Sequence, residues 1–181
     1  RFRSGFPEKL GGWIVGTNDA YVGKARSVYP WFTTDGGLPI GIGTNEKMYV
    51  TTGGNLYDIT PLRITYDSGT SPSTDNCFST TNTSATVLVT ITAHGAQDGD
   101  YVTFSGVVGF AGIPSGDFNQ EFKIFNVTTN TFDITVATPA TSTVASGGGT
   151  AIVAEFQISV GNSIVTAGYG WGVGPWGRGT W

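Results

Sequence analysis

Ala85-Thr86-Val87-Leu88-Val89-Thr90-Ile91-Thr92 is the stretch that decides the fold class, because apolar and polar residues alternate in it with a period of two. A strand places successive side chains on opposite faces of a sheet. Val87, Val89 and Ile91 are therefore expected on one buried face, and the stretch predicts a β-strand.

The composition of the whole chain supports β-structure. Its 181 residues include 28 Gly and only 12% charged residues, against about 7% Gly and about 25% charged in an average domain. Helical surfaces need Glu, Lys, Arg and Ala, whereas this chain fills its polar positions with Thr, Ser, Asn and Gly. A helical bundle is excluded. At 39% hydrophobic the chain still has a core to bury, as one domain or two small ones.

The first of three composition zones, residues 1–66, predicts a β-meander. Its short apolar stretches are separated by turn signals at the roughly 8–12-residue spacing of such folds. Lys47-Met48-Tyr49-Val50 and Leu56-Tyr57-Asp58-Ile59, joined through Gly53-Gly54, predict a hairpin.

The second zone, residues 67–160, predicts a small inserted β-barrel or sandwich. It opens with a polar stretch, Ser68 to Asp75, which is typical of a linker or long loop. Five strands are expected after it, at 85–92, 101–104, 121–127, 132–136 and 151–156.

The third zone, residues 161–181, spaces large aromatic side chains with glycine. Such a segment has too few contiguous side chains to offset its backbone entropy in isolation. We expect it to pack on another part of the protein or on another subunit. The start at Arg1 and the stop within this Gly/Trp run indicate a piece of a longer polypeptide.

Charge and cysteine content restrict the partners. The net charge is −4, with 9 Lys and Arg against 13 Asp and Glu, so the sequence offers no basic face for specific nucleic-acid binding. No apolar run approaches the roughly 20 residues of a membrane span, and we expect no membrane insertion. The single cysteine, Cys77, excludes an internal disulfide framework and a multi-cysteine zinc site.

The candidate catalytic groups all have a simpler structural explanation. The single histidine, His94, lies between a strand and a turn, where its imidazole is expected to cap local backbone groups. Cys77 lies in a polar stretch without a basic cluster, so we expect an inert thiol. The carboxylates that a glycosidase would need lie mostly at turns, where Asp bonds nearby backbone. They are Asp98, Asp100, Asp117, Glu121 and Asp133.

Metal and phosphate motifs are incomplete as well. Asp98-Gly99-Asp100 lacks the rest of a calcium loop, and the glycine-rich stretches match neither phosphate-loop nor dinucleotide patterns. We therefore expect no catalytic residues, no cofactor and no metal.

The Gly/Trp segment supplies the candidate contact residues. Exposed aromatic rings also bind sugars, but so glycine-rich a segment does not hold three indoles in place alone, which favours a contact between subunits or domains. The candidates are Tyr169, Trp171, Trp176, Arg178 and Trp181.

Four stretches, taken together and in this order, resemble motifs of a family of bacteriophage tail proteins. They are 3–13, 41–50, 53–61 and 168–181. The middle zone is similar to the small β-insert that such proteins carry, labelled by analogy to a domain of ubiquitin-activating enzymes. Its marks are Ala93-His94-Gly95, Gly99-Asp100-Tyr101-Val102, Phe118-Asn119-Gln120-Glu121-Phe122 and Asn130-Thr131-Phe132. The label implies no ubiquitin chemistry.

This resemblance implies a non-enzymatic structural protein of the virion tail, and specifically the tail-tube or nozzle subunit of short-tailed phages. Such a subunit bears a β-propeller, which this chain would only begin, and assembles with its own copies into a six-fold ring, a homohexamer. The ring contacts neighbouring tail proteins, and DNA passes through its lumen without specific binding. The insert is expected to decorate the ring or to touch a neighbouring tail protein.

Two other classes of function stay open at this point. One is a phage or cell-surface adhesin whose β-insert or Trp-Gly segment binds host glycans. The other, less favoured, is a tail-associated polysaccharide depolymerase, which would need Glu121 or Asp133 as part of a carboxylate pair.

Overall fold

The protein is built from β-strands in two compact units, Arg1–Ile59 and Thr60–Trp181. The computed structural model describes residues 2–3 and 6–7 as backbone, and residues 16–17, 19–67 and 73–158 in full. No α-helix occurs in these ranges, and the only helical element there is the 3₁₀ turn Ser115–Asp117. The all-β class predicted from the sequence is confirmed.

The first unit contains a two-stranded ribbon and a four-stranded antiparallel meander in the order β3-β4-β5-β6. The predicted meander and its hairpin are confirmed: β5 pairs with β6 across Gly53 and Gly54, whose φ angles are 58° and 84°. Positive φ at both central residues suits the twist of a two-residue hairpin turn. The strands are β1 (Phe2–Arg3), β2 (Phe6–Pro7), β3 (Ala25–Pro30), β4 (Ile40–Thr44), β5 (Met48–Thr52) and β6 (Asn55–Asp58).

Little of the first unit is buried. Its described buried apolar residues are Pro39 and Tyr49, and the Tyr49 hydroxyl accepts a hydrogen bond from the Val22 N–H at 3.1 Å. The buried Lys47 ammonium lies 2.7 Å from the Asp58 carboxylate. A charge taken out of water needs such a partner. The described part of this sheet therefore has a buried hydrogen bond and a buried ion pair but no hydrophobic core.

The second unit is a sandwich of two four-stranded antiparallel sheets, with strand orders β11-β10-β14-β7 and β12-β9-β8-β13. The strands are β7 (Leu62–Tyr66), β8 (Phe78–Thr80), β9 (Thr86–Thr90), β10 (Tyr101–Ser105), β11 (Glu121–Lys123), β12 (Thr131–Thr135), β13 (Val144–Gly147) and β14 (Val153–Gln157).

Phenylalanine rings from both sheets meet in its core. Phe78 of one sheet contacts Phe104 of the other at 4.9 Å between centroids, and Phe132 contacts Phe156 at 5.7 Å. All four side chains are almost completely buried. Aromatic pairs in such edge-on geometries contribute beyond the area that they bury. The sandwich is thus held by its own core.

The strand that decided the fold lies at the centre of this core. Val87, Val89 and Ile91 have no exposed surface, whereas Leu88 is 40% exposed on the opposite face. The predicted alternation is confirmed.

The structure differs from the sequence reading at three strands and one boundary. β7, β8 and β13 were not predicted as strands of the second unit. β8 and β13 have only 3 and 4 residues, and β7 lies at the end of the first composition zone. Since β7 pairs with β14, the second unit begins at Thr60 and not after Tyr66. Cys77, expected in a polar loop, is buried and forms a β-bridge with Gly147.

The two ends of the described sandwich lie side by side. Leu62, at the start of β7, pairs with Gln157, at the end of β14. The Ile158 N–H then donates to the Pro61 carbonyl oxygen at 2.9 Å. The chain therefore leaves the sandwich at the point where it entered.

Burial on the two faces of β9, whose alternation continues to Ile91 just after it, predicts unequal costs of truncation. Ile91→Ala should lower the free energy of unfolding of the second unit by about 3 kcal/mol, because it leaves a cavity in a closed core. Leu88→Ala, on the exposed face, should cost less than about 1 kcal/mol. Urea unfolding of the full chain measures both, and equal losses would contradict the assigned faces.

Candidate functional site

The five carboxylates singled out in the sequence serve as acceptors within the fold. Asp98 accepts from the Val127 N–H at 2.8 Å, and Asp100 from the Gln97 N–H at 3.0 Å. Asp117 accepts from the Thr138 N–H, Glu121 from the Gln157 side-chain amide, and Asp133 from the Asn126 side-chain amide. The structure gives each of these carboxylates a hydrogen-bonding role within the fold. No group of three metal-ligating side chains occurs in the described ranges.

His94 caps a turn as expected, but it is also buried. The Ala96 N–H donates to Nδ1 at 3.1 Å, so the neutral ring carries its proton on Nε2. Nε2 itself has no hydrogen-bond partner. The ring stacks on Phe156 at 6.0 Å and meets Phe132 edge-on at 5.1 Å. These contacts make His94 a core residue.

Burial lowers the pKa of His94, and the neighbouring Arg63 charge adds to the effect. The backbone of Thr131 and Thr128 acts in the opposite direction, but without a well-formed hydrogen bond at Nε2 the burial effect prevails. The imidazole is therefore neutral in the folded protein near neutral pH.

An open depression lies beside His94, lined by residues 93, 95–98 and 127–129. Arg63 reaches its rim, where the guanidinium donates to the Gly95 carbonyl oxygen at 2.8 Å and lies 3.6 Å from the Asp100 carboxylate. Sequence reasoning missed Arg63, because only the pairing of β7 with β14 brings that residue to this loop. The Arg63 guanidinium thus contacts both the Gly95 carbonyl oxygen and the Asp100 carboxylate, and these contacts stabilise the turn.

Cys77 shows no sign of reactivity. Its side chain is buried, and burial raises the pKa of the thiol to about 12. Since the thiolate is the reactive form, this thiol is inert at neutral pH.

One face of the sheet in the first unit carries several exposed apolar side chains. Tyr29, Gly41, Val50 and Tyr57 lie opposite one another across β3 to β6 and so project to the same side. Trp31 lies against Gly41, where a Cβ would come within 3.2 Å of its ring. We call the surface formed by Tyr29, Trp31, Val50, Tyr57 and Ile59 the aromatic face.

The aromatic rings of this face are accessible to solvent. Tyr29 is 70% exposed and Tyr57 50% exposed, and Ile59 is exposed beside them. The sequence does not reveal this surface, since its members come from three strands and from two residues that follow strands, and they meet only through the register. An apolar surface of this kind marks a contact or a ligand platform.

The predicted contact residues Tyr169, Trp171, Trp176, Arg178 and Trp181 lie outside the described residues. Most of the 3–13 motif and residues 68–72 of the polar stretch do as well. No helix in the described ranges is long and apolar enough to cross a membrane.

Comparison with known proteins finds a family match within the second unit. Residues 82–153 match the family model described as "Ubiquitin-activating enzyme E1 FCCH domain". This match covers less than half of the chain and agrees with the resemblance seen in the middle zone. The curated proteins contain no match. Among solved structures the chain is similar to "Phage phi92 endosialidase" at 15% identity and a TM-score of 0.38, over 76% of this chain and 20% of that chain.

The burial of His94 predicts a loss of stability in mild acid. Its pKa lies below the ordinary 6.5 in the folded state, so the unfolded chain takes up the proton first as the pH falls. The stabilisation is complete above pH 6.5 and is lost progressively as the pH falls towards the folded-state pKa.

Urea unfolding between pH 8 and pH 5 measures this loss. His94→Asn retains an acceptor for the Ala96 N–H and does not titrate, so the difference between the two proteins isolates the imidazole from the carboxylates. A parent and a variant with parallel pH profiles would contradict the assignment.

Proposed function

We propose that this chain is a non-enzymatic structural component of a bacteriophage tail and that it assembles with its own copies into a ring of the tail tube or nozzle. The observation that carries the proposal is β3, which lies at the edge of the described four-stranded sheet and has all six residues exposed. Val28, on this strand, is 61% exposed, and Phe32, just after it, is 79% exposed. An open edge with apolar side chains is a template for pairing with another chain.

The order of tail-protein motifs in the sequence supports this role. Low charge fits large protein contacts, and rings of identical subunits bury edges that a monomer leaves in water. The family match of residues 82–153 concerns the sandwich. We do not extend ubiquitin activation to it, since the single thiol, Cys77, lies outside that range and is buried.

The mass of the native particle tests the ring. Light scattering of the full protein should give a closed oligomer of about six copies. Phe32→Asp should weaken the assembly at least tenfold, because the charge would be buried against the neighbouring copy. Val108→Asp is the matched control, since Val108 is 63% exposed on the sandwich. A monomer of the full protein would overturn the ring.

The sandwich should be dispensable for assembly. Because Pro61 and Ile158 are hydrogen-bonded neighbours, deleting residues 60–158 and joining Ile59 to Ser159 should leave the particle with the same number of copies. Imaging and light scattering check this number. Failure to assemble would show that the sandwich is part of the ring.

A glycan-binding adhesin is the second candidate function. It is favoured by the exposed rings of Tyr29, Trp31 and Tyr57, which the sheet holds in fixed positions as a sugar-stacking platform requires. This role implies a monomer whose tryptophan fluorescence is quenched by oligosaccharides, an outcome opposite to that of the ring.

A further inference from the structure

The segment after β9 connects the two sheets of the sandwich and covers His94. β9 ends at Thr90 in one sheet, and β10 begins at Tyr101 in the other. His94 is 2% exposed, whereas the residues on either side of it are exposed. We call residues 93–98 the His94 turn. It is a surface segment that encloses one buried titratable side chain.

The His94 turn is held by contacts with side chains. The Ala96 N–H donates to His94 Nδ1 at 3.1 Å, and the Arg63 guanidinium donates to the Gly95 carbonyl oxygen at 2.8 Å. Ala93 has a φ angle of 54°, which residues with a Cβ adopt at a cost in free energy. A segment of this kind opens more readily than the paired strands beside it.

The hydrogen bonds around His94 suit only the neutral ring. Nδ1 accepts from the Ala96 N–H, so it carries no proton. In an imidazolium both ring nitrogens are donors, and the proton on Nδ1 would point at the proton of the Ala96 amide. Nε2 has no hydrogen-bond partner among the described residues. Protonation therefore replaces a hydrogen bond by a contact between two donors.

The charged and titratable groups of β7 and of the segment before β10 have partners of their own. They are Arg63, Tyr66, Asp98 and Asp100. Asp100 lies 3.6 Å from the Arg63 guanidinium, so its charge is shared with that cation. Burial lowers the pKa of His94 first of all, and the Arg63 charge lowers it further.

The strands of the core offer the ring apolar neighbours. His94 meets Phe132 of β12 edge-on and stacks on Phe156 of β14. The carboxylates of these strands, Asp133 and Glu155, alternate with buried residues and project to the opposite faces. A charge buried without a partner is unstable. An imidazolium is therefore more stable in water than in its place beneath the turn.

We propose that the His94 turn responds to acid: protonation of His94 releases the imidazole into water and opens residues 93–98, while the two sheets stay packed. Opening uncovers Phe132 and Phe156 beside the depression lined by residues 93, 95–98 and 127–129. The sheets stay packed because their core extends well beyond this turn. The proposal concerns the sandwich alone and does not depend on a role in a phage tail.

Hydrogen exchange of single amides in the full chain tests this proposal. NMR measures it between pH 8 and pH 5 without denaturant, as protection factors, which are corrected for the chemical effect of pH on exchange. The Ala96 amide reports on the turn. Val107 is the matched control, because its N–H donates at 2.8 Å to Asn119 Oδ1, which does not titrate. Val89, on the central strand β9, reports on the sandwich.

The protection factor of Ala96 should fall by about tenfold or more between pH 8 and pH 5. The fall should begin near the ordinary pKa of 6.5, because the opened ring takes up the proton first. The protection factors of Val107 and Val89 should not change. In His94→Asn, which retains an acceptor for the Ala96 N–H, the protection of Ala96 should not depend on pH. His94 is the single histidine of the chain, so its ring resonances follow its protonation in the same samples.

Four results would overturn the proposal. Constant protection of Ala96 while the imidazole takes up its proton would mean that the closed turn accommodates the charge. An imidazole that stays neutral at pH 5 would mean that the turn does not respond to acid in this range. Equal losses at Ala96 and Val89 would mean that acid unfolds the whole sandwich. The same loss at Ala96 in His94→Asn would assign the response to the carboxylates, and the three amides of the parent chain decide the matter even if that variant does not fold.

Discussion

The antiparallel pairing of β14 with β7 is the constraint on which the organisation of this chain depends. It joins the last described strand of the sandwich to the first, and the hydrogen bond from the Ile158 N–H to the Pro61 carbonyl oxygen extends this pairing by one more contact. Without this pairing, β7 would have no partner in its sheet and Arg63 would not reach the Gly95 loop. With it, the chain enters and leaves the described sandwich at the same edge.

The two units obtain their stability from different sources. The sandwich buries a continuous cluster of aromatic and aliphatic side chains contributed by both sheets. The described meander has strand pairing and a Lys47–Asp58 ion pair. Net contributions of backbone hydrogen bonds and single ion pairs are small compared with the burial of a hydrophobic core. The described meander is therefore expected to be less stable than the sandwich.

What the sequence predicts well is what depends on local pattern. The alternation around Val87 and Val89 and the paired glycines at 53 and 54 each specify a conformation within a few residues. β8 and β13 were not predicted because a three-residue strand and a strand ending in Gly147 carry no periodic signal. Cys77 was assigned to a loop for the same reason. The aromatic face depends on the register of four strands, β3 to β6. No pattern along the chain specifies it.

The adjacent ends of the sandwich also matter for chain entropy. Closing a flexible loop between two points costs an entropy that grows with the length of the loop. In the second unit the strands from β7 to β14 are ordered by their own core, and the Ile158 to Pro61 hydrogen bond brings the entering and leaving segments together. The described sandwich therefore holds its two ends at one edge through its own contacts.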